Sequence, residues 1–260
     1  MELMDAVLIC LTAFLAAGVT LFSGFGLGTL LMPVFALFIP IETAIALTAI
    51  VHLFNNVLKL MLLGRYAERH VVFRFGVPAV LAAFLGAWVL GFLSDLAPLM
   101  HYRLFAHDFL VMPVKVAVAT LLVVFTLLEL TLKEGALSFD KQYLPLGGIM
   151  SGFFGGLSGH QGALRSAFLI KCGLSKEGFL GTGVVIACLV DIARLAMYGA
   201  AFPSIVSGEH VILLLVVVAS AFGGTWVGSQ LAHKVTIRTI QITVSILVLG
   251  IAVGIGAGLI

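Results

Sequence analysis

Charge is what this 260-residue chain has least of: Asp, Glu, Lys and Arg make up only 10% of it, against 62% hydrophobic residues. That balance lies outside the range of soluble globular domains, so an all-α polytopic membrane protein is expected. Cysteine is also sparse. Cys10, Cys172 and Cys188 form no CxxC pair and no cluster with histidines, which argues against a redox relay, a metal site or a bound cofactor and leaves them as packing residues. The net charge of +2 is small and the basic residues scatter into loops, which excludes nucleic acid as a partner. No basic region precedes the first apolar run. Glu2 and Asp5 stand there instead, so Met1 onward is expected to stay in the mature chain.

What is present is a series of long apolar runs, two of them broken. Residues 6–38 are interrupted at Ser23-Gly24-Phe25-Gly26-Leu27-Gly28, and residues 143–170 at a longer polar stretch from Gly155 to Arg165. The runs at 43–63, 71–93, 109–130, 178–202, 211–231 and 237–259 are each long enough to cross about 30 Å of hydrocarbon as a helix. The two halves, 1–133 and 134–260, match as an internal repeat. At one offset Pro40-Ile41-Glu42 pairs with Ser175-Lys176-Glu177, Asn56 with Asp191, Lys59 with Arg194 and Gly64 with Gly199. After a small gap the only two tryptophans, Trp88 and Trp226, pair as well.

Loop lysines and arginines set the orientation. If both broken segments return to the side they enter from, Arg65, Arg69, Arg74, Lys133, Lys141, Lys171, Lys176, Lys234 and Arg238 lie inside and only Arg103 and Lys115 outside. If each broken segment crosses once, that asymmetry disappears. The first arrangement leaves three spans per repeat. Because that number is odd, the repeats have opposite orientation and both termini lie outside.

Polar groups at membrane depth mark the candidate site, since each charge at a helix centre costs about 2.5–3.5 kcal/mol on insertion scales. Lys59, Arg165 and Arg194 lie inside the expected spans, with Asp191 as the single acid equally deep. Asp191 and Arg194, three apart, can pair structurally, but such a pair leaves Arg165 and Lys59 as excess positive charge. An anionic ligand is the direct reading. The second arm of each broken segment points its free amides and positive dipole end into the centre. Gly24, Gly26, Gly28, Gly159 and Gly162 permit the reversal and a close ligand approach; Gly86, Gly91, Gly223, Gly224 and Gly228 read as helix packing. Ser23, Phe25, Ser158, His160 and Gln161 flank the breaks. His52, Asn56 and Lys59 share one helical face, and Asp191, Arg194 and Tyr198 share its repeat counterpart, so the two faces are expected to wall one cavity. His160, His52 and Asp191 are the candidates for carrying a coupling proton.

These features resemble the TauE/SafE family of membrane exporters, named for sulfite and sulfoacetate export. The resemblance rests on two repeats, each opening with a small-residue motif in a broken helix. Ser23-Gly24, Gly26, Gly28 and Pro33 carry it in the first half, and Ser158-Gly159 and Gly162 in the second. Neither half has the family's triple-glycine run, and Ala163-Leu164-Arg165 takes its place in the second. The resemblance implies a secondary exporter of a small sulfur-containing anion in a bacterial inner membrane. Its partners are the anion, membrane lipid, and either a coupling proton, a sodium ion or neither; homo-oligomerisation is open. A passive anion channel shares nearly every feature. An intramembrane serine protease is the third reading, because Gly156-Leu157-Ser158-Gly159 has the form GxSG and His233 supplies a histidine. Against it, Ser23-Gly24 repeats the Ser-Gly pair as a structural tip would, and His233 falls in a loop.

Overall fold

The computed structural model describes residues 3–19, 27–104, 107–131, 138–201, 208–231 and 237–260. The chain is an all-α polytopic membrane protein. In the first half α1 (Leu3–Val19) and α2 (Leu27–Ala36) flank the first break, and α3 (Ile41–Leu63) follows. A short α4 (Arg69–Val71) leads through a π-helical stretch, Val72–Gly76, into α5 (Val77–Ser94). Pro78 sits at the start of α5 and has no amide to donate backwards, which accounts for a widened turn at that point. The half closes with α6 (Pro113–Thr131). The second half contains α7 (Leu144–Ser158), α8 (Gly162–Leu169), α9 (Lys176–Ala201), α10 (Gly208–Leu231) and α11 (Ile237–Gly256).

Among the described residues, five helices are long and apolar enough to cross a membrane. α7 and α8, at 15 and 8 residues, extend about 22 and 12 Å. Neither arm of the second broken segment spans alone. Large apolar side chains cover the outer surface, Trp88 and Trp226 among them. A surface of that kind suits lipid and not water.

One boundary differs from the expectation. Residues 109–130 read as a single helix, but Met100–Leu104 (β1) and His107–Val111 (β2) form an antiparallel hairpin, with Tyr102 opposite Phe109. Proline suits the first helical position, where no amide bond is lost, and α6 accordingly starts at Pro113. The hairpin is tied down by Tyr102, whose hydroxyl donates to the Ala257 carbonyl 2.7 Å away, beyond the end of α11.

The packing follows a reciprocal pattern. α7 lies along α5 and α1 along α10; α3 packs on α9 and α6 on α11; α2 rests on α3 and α8 on α9. The first arm of each broken segment therefore docks on the other half. Both docking faces are lined with glycine. A methyl group at Gly152 or Gly156 of α7 would collide with the α5 carbonyls of Ala79 or Ala83, and one at Gly224 of α10 with the Phe14 carbonyl of α1. Backbones that close gain van der Waals contact, the main attraction left between helices in lipid.

Candidate functional site

The second break is built by termination of α7. Gly159 adopts the left-handed conformation, φ 85°, and its amide donates to the Gly155 carbonyl at 3.0 Å, the usual way a helix stops at glycine. Two carbonyls of the last turn gain partners from α9: Arg194 Nη1 donates to Gly155 O at 3.3 Å, and the Tyr198 hydroxyl donates to Gly156 O. Two residues later α8 begins at Gly162. Its first-turn amides have no intrahelical acceptors, so the positive end of α8 faces the break.

The polar faces of α3 and α9 meet directly and do not stand apart across a space. Asp191 is the hub. Its Oδ1 accepts from Arg194 Nη2 at 2.7 Å, Arg194 Nε at 3.0 Å and Gln161 Nε2 at 3.0 Å. Its Oδ2 lies 2.6 Å from His52 Nδ1 and 3.5 Å from Asn56 Nδ2. Asp191 and Arg194 are 0% and 1% exposed, so each cancels the other's charge away from any open space. The structural pairing of these two residues is realised, and Arg194 is committed to Asp191 and to the end of α7.

Arg165 is placed otherwise. Its Nη1 donates to Gln161 Oε1 at 3.0 Å, a neutral partner, and no carboxylate among the described residues pairs with it. Gln161 thus bridges the neutral clasp on one side to an uncompensated guanidinium on the other. Its carbonyl also accepts from Ser151 Oγ at 2.9 Å and from the Arg165 amide at 3.1 Å, which fixes the turn between the two arms. Lys59 is half-buried on α3 and has no hydrogen-bond or ion-pair partner among the described residues.

A cavity of about 30 Å³ opens at the break. Of the expected residues it is lined by Gly28, His52, Gly159, His160, Gln161, Gly162 and Arg165. Ser158, Asn56, Lys59, Asp191 and Arg194 do not line it. Ser23, Gly24, Phe25 and Gly26 of the first break lie outside the described residues. Gly28, just beyond them, faces the second break: a Cβ there would stand 3.5 Å from the Gly159 carbonyl oxygen.

Residues that sequence reasoning passed over complete the wall: Thr29 and Ala163, and Phe125 and Glu129 from α6. The Phe125 ring stacks on His160 with centroids 5.4 Å apart and planes 4° from parallel. His160 is 5% exposed; its Nδ1 lies 3.0 Å from Ser158 Oγ, and its Nε2 is buried with no partner. Ser158 Oγ also donates to the Phe154 carbonyl at 3.1 Å, so His160 Nδ1 is the donor in the Ser158 contact. This geometry does not activate the serine. The hydroxyl proton is committed to backbone, and no acid orients the far side of the imidazole.

The donors around this cavity are therefore the Arg165 guanidinium and the amide end of a short helix, while His160 Nε2, with the ring proton on Nδ1, presents a lone pair. A family model described as "Sulfite exporter TauE/SafE" matches residues 9–255. Neither a curated protein nor a solved structure matches the chain. The family match runs through both broken segments and all the long helices, and the chain belongs to the TauE/SafE sulfite exporter family.

Proposed function

We propose that the chain is a secondary transporter that exports a small sulfur oxyanion, sulfite, sulfoacetate or a related sulfonate, by alternating access, with the anion held at the second break. The observation that carries this reading is the Arg165 side of the cavity. Arg165 and the first amides of α8 converge there, while the neighbouring Asp191–Arg194 pair is already neutral. Planar guanidinium and helix amides both suit a tetrahedral or pyramidal oxyanion. The reciprocal packing of the halves supports two inverted repeats, because the docking of each first arm on the other half, α1 on α10 and α7 on α5, recurs with the halves exchanged. An inverted repeat in turn supplies the two related conformations that alternating access needs.

The cavity is too small for the ligand as it stands. About 30 Å³ corresponds to one or two water molecules, less than an oxyanion requires. A wall must move to admit the ligand, and the short arm α2 and the end of α6 are the segments facing Arg165 across the space.

The test is thermal stabilisation of the purified protein by sulfite, sulfate, thiosulfate, sulfoacetate, acetate and chloride. A ligand at 100 times its Kd stabilises the folded state by about 2.7 kcal/mol. Stabilisation confined to sulfur oxyanions and lost in Arg165→Gln is the expected result. No stabilisation by any of them, or full stabilisation in the folded Arg165→Gln variant, refutes the site.

A further inference from the structure

Glu129 is the one carboxylate that shares the cavity with Arg165. It sits on α6, across the space from the short arm α8. Among the described residues its Oε2 is buried without a hydrogen-bond partner, and no ion pair joins it to Arg165 or to a histidine. A buried carboxylate oxygen without a partner is costly, and here it faces a cavity that also holds Arg165, His160 and Gln161. The histidines and Asp191 are differently placed: Asp191 is held by Arg194, His52 and Gln161, and His160 Nδ1 by Ser158.

We propose that Glu129 is the proton-coupling group of the transporter, taking a proton from bulk water as an oxyanion enters the cavity and returning it when the anion leaves. This rests on the anion reading of the site. With the cavity empty, Glu129 is the carboxylate that faces Arg165 across the space, outside ion-pair distance. When an oxyanion enters, two negative groups share a space walled by Phe125 and the helix break, where repulsion is weakly screened. Protonation relieves it and turns Glu129 from an acceptor into a donor towards the anion. The site balances in both forms: Arg165 with ionised Glu129 when empty, and Arg165 with a monoanion and neutral Glu129 when loaded. A singly charged oxyanion then moves together with its proton. A doubly charged one carries one net negative charge, which an inside-negative membrane potential drives outward.

Among the described residues, the other titratable groups facing Glu129 are few. His160 and Arg165 lie across the cavity, and His52 lies at its α3 side, with Lys59 further along the same helix. Among the elements packed on α6, α5 and α7 contain no titratable residue and α11 contains only Arg238, in its first turn. The alternative proton acceptor is therefore His160, and the test separates the two.

Sulfoacetate is the probe, because its charge is constant between about pH 5.5 and 8.5. Linkage requires its affinity for the wild-type protein to fall by up to about tenfold per pH unit as Glu129 ionises in the empty site. Glu129→Gln should bind with the wild-type low-pH affinity and show no slope. His160→Gln should keep the wild-type slope. Wild-type protein in weak buffer with a pH indicator should take up close to one proton per sulfoacetate bound, a reading that needs no variant to fold. A slope that survives in Glu129→Gln, a slope lost in His160→Gln, or binding without proton uptake overturns the role of Glu129 and leaves the anion site standing. Absence of sulfoacetate binding at every pH, with sulfite and thiosulfate equally inert, overturns both.

Discussion

Asp191→Asn separates the structural clasp from the ligand site. The carboxylate is fully buried and faces five donors within 3.5 Å, two of them from Arg194. Asparagine has the same shape, but it is neutral and accepts on one side only. On the Oδ2 side His52 can change tautomer and accept from the new amide, so little is lost there. On the Oδ1 side Arg194, 1% exposed, keeps its charge with no counter-ion and is left with neutral acceptors, the amide oxygen at 191 and the Gly155 carbonyl. Removing one partner of a buried ion pair costs about 3–5 kcal/mol, whereas replacing both is often nearly neutral. Asp191→Asn is therefore expected to destabilise by about 3–5 kcal/mol, a large share of the 5–15 kcal/mol typical of a folded domain.

The assay is reversible unfolding in mixed micelles followed by circular dichroism, on wild type, Asp191→Asn, Arg194→Gln and the double variant. The double variant should be more stable than the sum of the single losses predicts, with a coupling of about 1–3 kcal/mol. A loss below about 1 kcal/mol in Asp191→Asn, or an additive cycle, would mean that Arg194 finds its compensation elsewhere. That result would return Arg194 to the list of groups available to an anion.

Two further outcomes follow from the packing and from the loop charges. Gly152→Ala and Gly224→Ala each place a methyl group against a facing backbone carbonyl, so each should cost about 1–3 kcal/mol in the same unfolding assay; neutrality at both would mean that the two crossings are looser than described. Cysteine placed at Arg103, exposed on β1, should react with an impermeant maleimide from outside the cell, and cysteine at Lys171, exposed after α8, only after permeabilisation. The opposite pattern would invert the topology and place the termini inside.

The helical class was legible because long apolar runs with few charges have one stable solution in lipid. The second break was legible for the same reason: Gly159, His160, Gln161 and Arg165 interrupt an apolar stretch, and polar backbone at that depth needs partners. The spacing of Asp191 and Arg194 on one turn announced their pairing. The hairpin at 100–111 was missed because Phe109, Leu110 and Val111 extend the apolar run of α6 without a change of composition. Alternation at Met100, Tyr102 and Leu104, followed by Pro113, was the available signal. Glu129 was missed for a different reason. Near the carboxyl end of its own helix it reads as an interfacial charge, and only the short length of α8 brings the break within reach of that end.

Three cations at membrane depth suggested an interior with excess positive charge, and the structure redistributes that excess. Arg194 is cancelled by Asp191, and their bonds hold α9 to the end of α7 and, through His52, to α3. That clasp fixes the position from which α8 begins, and so fixes where Arg165 stands. Arg165 keeps its charge facing the cavity because Gln161, a neutral residue, lies between it and the only deep carboxylate on α9. A glutamate at position 161 would join the clasp to Arg165 and leave the cavity without a free cation. The glutamine is thus the residue that separates a structural ion pair from a ligand-facing charge one turn away. On the proposed coupling, Glu129 completes that separation by balancing Arg165 only while the anion is absent.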